Sequence, residues 1–250
     1  MSKKRTCTPA LGTFFTMGNE SMMECLGYTG LNFVIIDGEH GPFSTEAELR
    51  LIRVAESVGL TPYVRIADVT HKEIQRAVDI GARALIVPYL RTMDEMRRLV
   101  ELAKFPPLGS RGYMRGRGSG FGFQDWAAGS VEEFMSTSND RLLLLPQCET
   151  AECLDIIEEA VTLKGIDGIF VGPFDLSISL GIPGEFKNER FMDALDRILT
   201  ACRFAEKPAF IFASDLTVAR QYLQKGFDGI AYATDAAIVT ESFRKIVKCI

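Results

Sequence analysis

The chain has 250 residues, of which 47% are hydrophobic and 24% are charged, a composition typical of a globular domain with a large buried core. It carries 28 Lys and Arg residues against 33 Asp and Glu residues, and the resulting net charge of −5 argues against nucleic-acid binding. No segment reaches the roughly 18 apolar residues of a membrane span, so no membrane partner is expected. Six cysteines without a C-x-x-C pair predict reduced thiols in a cytoplasmic protein. The basic residues 1–5 precede no long apolar run, which argues against a secretory signal.

Short apolar runs alternate along the chain with segments of helical periodicity. The predicted strands cover 13–17, 33–37, 62–66, 84–88, 142–147, 168–172, 209–213 and 228–233. The predicted helices cover 19–29, 44–58, 71–81, 92–103, 150–162, 189–206, 215–225 and 236–248. Continuously apolar strands indicate a parallel sheet that is buried on both faces. Eight such units predict a single α/β domain over residues 1–250, a closed (β/α)8 TIM barrel. An open doubly wound sheet is the alternative, disfavoured because no glycine-rich dinucleotide motif follows the first strand.

Glycines and one long connection interrupt this pattern. Several predicted helices are followed by a glycine, as C-terminal caps often are: Gly30, Gly59, Gly81, Gly165 and Gly226. The connection from Ala103 to Leu142 is much longer than the others, and its part up to Trp126 is rich in glycine and aromatic residues. Because long loops in compact domains are often functional, we expect this one to cover or border the active site.

Polar side chains stand at the ends of several predicted strands. In a (β/α)8 barrel, the chemistry takes place at the carboxyl ends of the strands. The residues at or just beyond these ends are Asp37, Glu39, His40, Arg65, Gln147, Glu149 and Asp175. The sequence therefore predicts that they converge on one site.

The acid–base and carboxylate residues of this set have both functional and structural interpretations. His40 has carboxylates beside it and suits a general base, although a lone histidine is often structural. The second histidine, His71, opens a predicted helix and is expected to be solvated. Glu149 and Asp175 could cap helices. They could instead bind Mg²⁺ or Mn²⁺, which prefer a few carboxylates and several waters.

Arg65 and the segment after the sixth strand also leave two interpretations open. Arg65 could bridge an acid, or it could hold a substrate carboxylate or a developing oxyanion. The backbone N–H groups of Phe174 and Asp175 could bind an anion, or this segment could be a simple turn. Cys148 is interpreted as a packing residue. No lysine stands at a predicted strand end, which argues against Schiff-base chemistry.

Ordered motifs between residues 11 and 245 carry a resemblance to a known family. The motifs are Asp37-Gly38-Glu39-His40-Gly41-Pro42, Val64-Arg65, Val78-Asp79-Ile80-Gly81, Val87-Pro88, and the segments 105–112 (FPPLGSRG), 147–150 (QCET) and 165–177 (GIDGIFVGPFDLS). The sequence resembles the HpcH/HpaI aldolase family of class II pyruvate aldolases. The resemblance implies a TIM barrel that reversibly cleaves a 4-hydroxy-2-oxo acid to pyruvate and an aldehyde, through an enolate stabilised by a divalent metal.

The resemblance also implies a role for individual positions. His40 matches the catalytic base, with Asp37 as its support. Asp79 matches the acid that raises the basicity of this base from a neighbouring subunit, so a homo-oligomer, typically a hexamer, is implied. Arg65 matches the arginine that stabilises the enolate.

The remaining matches concern the metal and the substrate. Glu149 and Asp175 match the ligands of the metal, which would be Mg²⁺ or Mn²⁺, with Co²⁺ as a further candidate. The matches to the pyruvate contacts are Arg65, Gln147, Gly172, Pro173, Phe174 and Asp175. The role of Glu39 is the least well supported of these assignments: it would hold water that is bound to the metal.

Departures from the family pattern leave the acceptor aldehyde open. Phe174 stands where members usually carry a small residue and is expected to narrow the pocket, and Cys148 replaces an aliphatic residue. Two alternative functions remain. One is a carbon–carbon lyase for a CoA thioester such as malyl-CoA or citramalyl-CoA, which the short chain and the lack of a basic nucleotide site disfavour. The other is a non-catalytic barrel that binds an oxo acid.

Overall fold

The structure is a computed structural model that describes residues 8–250, so the basic residues 1–5 and Cys7 lie outside the described residues. Eight parallel strands form a closed barrel in chain order, and β1 pairs with β8 to complete it. The strands are β1 (Ala10–Phe15), β2 (Phe33–Asp37), β3 (Thr61–Arg65), β4 (Ala84–Val87), β5 (Leu143–Cys148), β6 (Ile169–Val171), β7 (Ala209–Ala213) and β8 (Gly229–Thr234). The (β/α)8 prediction is confirmed, and the open doubly wound alternative is wrong.

Helices surround the barrel, except that the second half of α11 is exposed. They are α1 (Glu20–Gly27), α2 (Thr45–Ser57), α3 (His71–Ile80), α4 (Met93–Ala103), α5 (Val131–Arg141), α6 (Ala151–Asp155), α7 (Ile157–Thr162), α8 (Pro173–Ser179), α9 (Glu189–Phe204), α10 (Leu216–Lys225) and α11 (Asp235–Cys249). Gly81 and Gly226 end α3 and α10 in the left-handed conformation, as predicted for C-terminal caps. Within the described residues, no helix is both long and apolar enough to cross a membrane.

Aromatic rings fill the interior of the barrel. Phe33 stacks on Tyr63 with ring centroids 4.7 Å apart, and Phe210 meets both rings edge-on. A side chain at Gly229, which pairs with Phe210 across the sheet, would collide with the Phe210 ring. The interior is therefore a packed core and not a channel, so a ligand must bind above it at the carboxyl ends of the strands.

Several predicted boundaries are corrected. The first strand begins at Ala10 and not at residue 13, because Ala10 pairs with Gly229 when the barrel closes. The helix predicted over 150–162 is two helices separated at Ile156. Two helices were not predicted. One is α5, where the Ser130–Glu133 capping box was an available signal, and the other is the short α8 directly after β6.

The long connection lies at the end of the barrel opposite the predicted site. It joins the end of α4 to the start of β5, and such helix-to-strand connections lie at the amino-terminal face. Its 3-10 turn Arg117–Gly122 packs on the end of α3, where Arg117 pairs with Glu56 and donates to the carbonyl oxygen of Ile80. The expectation that this loop borders the active site of its own chain is wrong, because the connection returns to the face where β5 must begin.

Candidate active site

A cavity of about 150 Å³ opens at the carboxyl ends of the strands. Seven of the residues predicted from the sequence line it: Asp37, Arg65, Gln147, Gly172, Pro173, Phe174 and Asp175. We call this the mouth cavity. Its remaining wall, which the sequence analysis missed, consists of Phe14, Phe170, Phe212 and Thr234. These four residues come from β1, β6, β7 and β8, so only barrel closure brings them together.

Arg65 is fixed by two carboxylates. Its Nε and Nη2 atoms donate to the two oxygens of Asp37 at 2.8 and 2.6 Å, and Nη1 lies 3.0 Å from Glu39 Oε2. The guanidinium also stacks over the Phe14 ring, 4.9 Å from its centroid. The structural interpretation of Arg65 as a bridge to an acid is therefore correct. It does not exclude a substrate contact, because Arg65 also lines the mouth cavity.

Asp37 links Arg65 to the turn that carries His40. Besides binding the guanidinium, Oδ1 of Asp37 accepts the backbone N–H groups of Glu39 and His40, both at 3.2 Å. The contact to His40 is thus to its backbone and not to its imidazole. Asp37 orders the turn and the arginine together, which gives a physical basis for its predicted supporting position.

The His40 imidazole lies at the exposed edge of the site, beside Glu39. Its side chain is 73% exposed and is not part of the cavity lining. The nearest carboxylate oxygen is Glu39 Oε2, 3.8 Å from Nε2. Glu39 therefore lies between His40 and Arg65, a more central place than the sequence indicated. Burial raises the pKa of Glu39, although the charges of Arg65 and His40 oppose this effect.

Glu149 is a buried carboxylate with only 2% of its surface exposed. Oε1 accepts the backbone N–H of Tyr89 at 2.8 Å, and Oε2 accepts the Gln147 side-chain amide at 2.6 Å. Burial raises the pKa of Glu149 to about 7, and the nearby carboxylates of Asp175 and Glu39 act in the same direction. The helix-cap interpretation of Glu149 is wrong, because Thr150 caps α6.

Asp175 lies in the first turn of α8, two residues after Pro173. Gly172 occupies the N-cap position, so Asp175 is not the cap, although a carboxylate in the first turn still favours the helix dipole. The backbone N–H groups of Phe174 and Asp175 also lie in this first turn, where no intrahelical partner exists.

The donor set suits a cation that keeps most of its water. In the part of the chain that the structure describes, no group of three or more His, Cys, Asp or Glu residues could hold a metal. Asp175 lines the mouth cavity, and Glu149 lies directly behind the lining residue Gln147; a cation would relieve the mutual repulsion of these two carboxyl groups. Gln147 Oε1, beside Glu149, is buried without a hydrogen-bond partner. Two carboxylates with a free oxygen acceptor nearby fit Mg²⁺ or Mn²⁺ better than zinc, which takes three or four protein ligands.

Gly172 lets the backbone pass close to Glu149. A Cβ atom at this position would stand 2.7 Å from Glu149 Oε2 and 3.2 Å from Gln147 Nε2. Phe174 is 45% exposed and lies at the rim of the mouth cavity, with its ring edge-on to Phe186 at 5.0 Å between centroids. Cys148 is fully buried, which agrees with its interpretation as a packing residue.

Asp79 lies elsewhere in this chain. It is near the end of α3, where its carboxylate accepts from Arg111 Nη2 at 2.7 Å and is 24% exposed. The structure therefore does not bring Asp79 to His40 within one subunit. Tyr89, by contrast, is a site residue that the sequence analysis missed. It follows β4 in the left-handed conformation, with φ of 57°, and it contributes its backbone N–H to the site. A pattern of side chains in the sequence cannot predict a backbone contact of this kind.

Comparisons with known proteins agree with this fold. Residues 10–242 match the family model described as HpcH/HpaI aldolase/citrate lyase. The 2-keto-3-deoxy-L-rhamnonate aldolase of Klebsiella pneumoniae is 30% identical over 93% of this chain and 85% of the relative. The hydroxypyruvate/pyruvate aldolase of Paraburkholderia phytofirmans is 30% identical over 99% of this chain and 95% of the relative.

A solved structure of the same family has the same fold. The HpcH/HpaI aldolase/citrate lyase family protein of Burkholderia cenocepacia J2315 superposes with a TM-score of 0.88 at 30% identity, covering 96% of this chain and 93% of that one. The barrel and its named relatives define this protein as an aldolase, a carbon–carbon lyase. The chain belongs to the HpcH/HpaI aldolase family.

Proposed function

We propose that this aldolase cleaves a 4-hydroxy-2-oxo acid reversibly to pyruvate and an aldehyde, and that it requires a divalent cation. The observation that carries this proposal is the proximity of two carboxyl groups, since the charge of Asp175 raises the pKa of Glu149, with the fixed guanidinium of Arg65 near both. A small 2-oxo acid matches such a site, because it presents a carboxylate and a ketone oxygen side by side. The names of the two relatives indicate substrates of this class.

Glu149 and Asp175 would hold the cation, with Mg²⁺ and Mn²⁺ preferred and Co²⁺ as a further candidate. Two protein carboxylates leave the other coordination positions to water and to substrate oxygens. A cation bound there would supply positive charge against the negative charge that develops on the 2-oxo group. Gln147, Gly172 and Pro173 line the mouth cavity and would contact pyruvate there.

Arg65 would stabilise the same developing charge from the protein side. Asp37 and Glu39 hold its guanidinium in place, so the group need not reorganise during the reaction. Preorganised charge of this kind is effective because no solvent or side-chain rearrangement opposes it.

His40 would act as the base. As the bond between C3 and C4 breaks, His40 takes the proton of the 4-hydroxyl group, the 4-carbon leaves as the aldehyde carbonyl, and C3 then takes up a proton to give pyruvate. The exposed imidazole has only Glu39 near it in its own chain. The partly exposed Asp79 of a neighbouring copy would orient it, so we propose a homo-oligomer, of hexameric size by family resemblance.

Pyruvate release tests the activity. The protein with Mn²⁺ or Mg²⁺ is incubated with a panel of 4-hydroxy-2-oxo acids, and pyruvate is detected with lactate dehydrogenase. Exchange of pyruvate methyl protons in deuterated water tests the proton transfer separately. Absence of both reactions would refute the proposal, and cleavage of malyl-CoA or citramalyl-CoA instead would favour the CoA-thioester alternative.

The two histidines provide a matched pair of variants. His40→Ala should abolish turnover while Mn²⁺ binding is retained. His71→Ala, at the exposed start of α3, should leave turnover unchanged. Unchanged activity in His40→Ala would assign the base to another residue.

Subunit complementation tests the contribution of Asp79. His40→Ala and Asp79→Asn should each be inactive alone. When the two variants are co-expressed, sites with an intact His40 and an intact neighbouring Asp79 should recover about one quarter of the wild-type rate, because random assembly pairs them with that frequency. No recovery would show that Asp79 does not act across an interface.

A further inference from the structure

A second cavity lies at the amino-terminal end of the barrel, between the end of α3, the long connection and α5. It has a volume of about 40 Å³, and exposed Met114 marks its opening to the surface. Three arginines line it: Arg83, Arg111 and Arg141. The only carboxylate among the lining residues is Asp79, which pairs with Arg111. The lining thus carries an excess of two positive charges, and we call it the arginine cavity.

Several polar atoms of this lining are buried without a hydrogen-bond partner. They are Nε of Arg111, Nε of Arg141 and Oγ of Ser138. The Arg111 side chain is only 7% exposed, so bulk water does not solvate it freely. Buried donors are almost always satisfied in folded proteins, and charged ones most of all. Three unsatisfied donors in one wall therefore indicate a missing acceptor.

Two of these guanidinium groups stack on aromatic rings. Arg141 stacks on Trp126 with its Cζ atom 4.5 Å from the ring centroid, and Arg111 stacks on Phe105 at 4.8 Å. Arg83 has a pKa below its usual range because of burial and because Arg141 lies nearby. Like charges facing one cavity repel each other, and an anion between them would remove this repulsion.

The geometry points to a binding site for one small oxyanion, such as inorganic phosphate, in the arginine cavity. Guanidinium groups bind the oxygens of phosphate and carboxylate through paired N–H donors, and Ser138 offers a hydroxyl donor. Since a water molecule needs roughly 10–15 Å³, the cavity admits about three oxygen atoms, with the rest of the anion at the opening. Within one chain, the arginine cavity shares no lining residue with the mouth cavity.

Trp126 gives a direct readout, because it is the only tryptophan of the chain and it stacks on Arg141. Titration of the native protein with inorganic phosphate should change Trp126 fluorescence saturably, whereas chloride at equal ionic strength should not. Equilibrium dialysis with labelled phosphate should give one bound anion per chain. No saturable binding of phosphate would overturn the inference.

Four variants assign the site. Arg141→Gln should weaken phosphate binding at least tenfold, and Ser138→Ala, a small change that keeps the charges, should weaken it about threefold. Arg98→Gln, an exposed arginine on α4, and Arg65→Gln, in the mouth cavity, should bind phosphate as the native protein does. Phosphate binding that is lost in Arg65→Gln and retained in Arg141→Gln and Ser138→Ala would assign it to the mouth cavity. A different outcome is that the native protein binds no phosphate and that Arg141→Gln lowers its oligomeric state. An acidic group of a second copy then fills the cavity, and the inference is wrong.

Discussion

Glu48 on α2 has a partly buried carboxyl group whose effect on stability can be measured. Its carboxylate lies close under the turn that begins at Gly38, where an added Cβ atom would be 2.8 Å from Oε1. Burial raises the pKa of Glu48 from 4.5 to about 7, and the Glu73 carboxylate adds to this effect while Arg76 opposes it. The folded protein therefore holds this proton more tightly than the unfolded chain does.

The sign of the pH dependence follows from this difference. A carboxyl group with a raised pKa in the folded state contributes stability below about pH 4.5, and that contribution is lost as the pH rises through about 7. The full rise in pKa would correspond to about 3 kcal/mol of unfolding free energy. Because the side chain is only partly buried, solvent screening should reduce the effect to about 1–2 kcal/mol.

Glu48→Gln removes the ionisation and keeps the shape of the side chain. We expect the variant to be more stable than the native protein by about 1–2 kcal/mol at pH 8, with the difference shrinking as the pH falls and vanishing only below about pH 4.5. Urea unfolding followed by circular dichroism at pH 5, 6, 7 and 8 measures this. Glu46→Gln on the same helix, whose side chain is 80% exposed, should change stability little at any of these pH values. A stability difference between Glu48→Gln and the native protein that does not depend on pH would refute the reasoning.

Three further predictions concern the core and the site. Lys104→Met should lower the free energy of unfolding by about 3 kcal/mol in urea unfolding, because it leaves two carbonyl oxygens and Asp167 without their buried cation. Gly172→Ala should weaken Mn²⁺ binding at least tenfold, because its Cβ atom would displace Glu149. A paramagnetic resonance titration measures this affinity, and equal affinity would exclude Glu149 as a ligand. Phe174→Ala should raise kcat/KM for bulky aldehydes relative to small ones by about tenfold in the condensation direction, because the substitution enlarges the pocket. An unchanged ratio would show that Phe174 does not line the acceptor pocket.

The fold could be predicted because the sequence repeats one simple physical pattern eight times. Continuously apolar strands separated by amphipathic segments allow few compact arrangements other than a barrel with an outer layer of helices. The gathering of Asp37, Arg65, Gln147 and Asp175 at one mouth follows from the same pattern, since all parallel strands end at the same face. No knowledge of side-chain contacts was needed for that step.

The location of the long connection could not be obtained in the same way. Its length and its glycines indicated a functional loop, but its direction is set by topology, because a helix-to-strand segment must return to the face where the next strand starts. The sequence also gave no sign that Arg111 and Arg141 would line one cavity, since they come from different segments that meet only through packing.

The barrel, the approximate strand ends and the types of side chain that meet there could thus be predicted from the amino-acid sequence alone. The folded structure was needed to show that Asp37 and Glu39 both hold Arg65, that the backbone of Tyr89 binds Glu149, and that the His40 side chain is exposed. Periodicity fixes which face of an element is buried, because burial of apolar surface is local to each strand and helix. The partners of a side chain, its contact distances and its exposure depend on how loops from distant parts of the chain pack together. Local sequence patterns do not specify that packing.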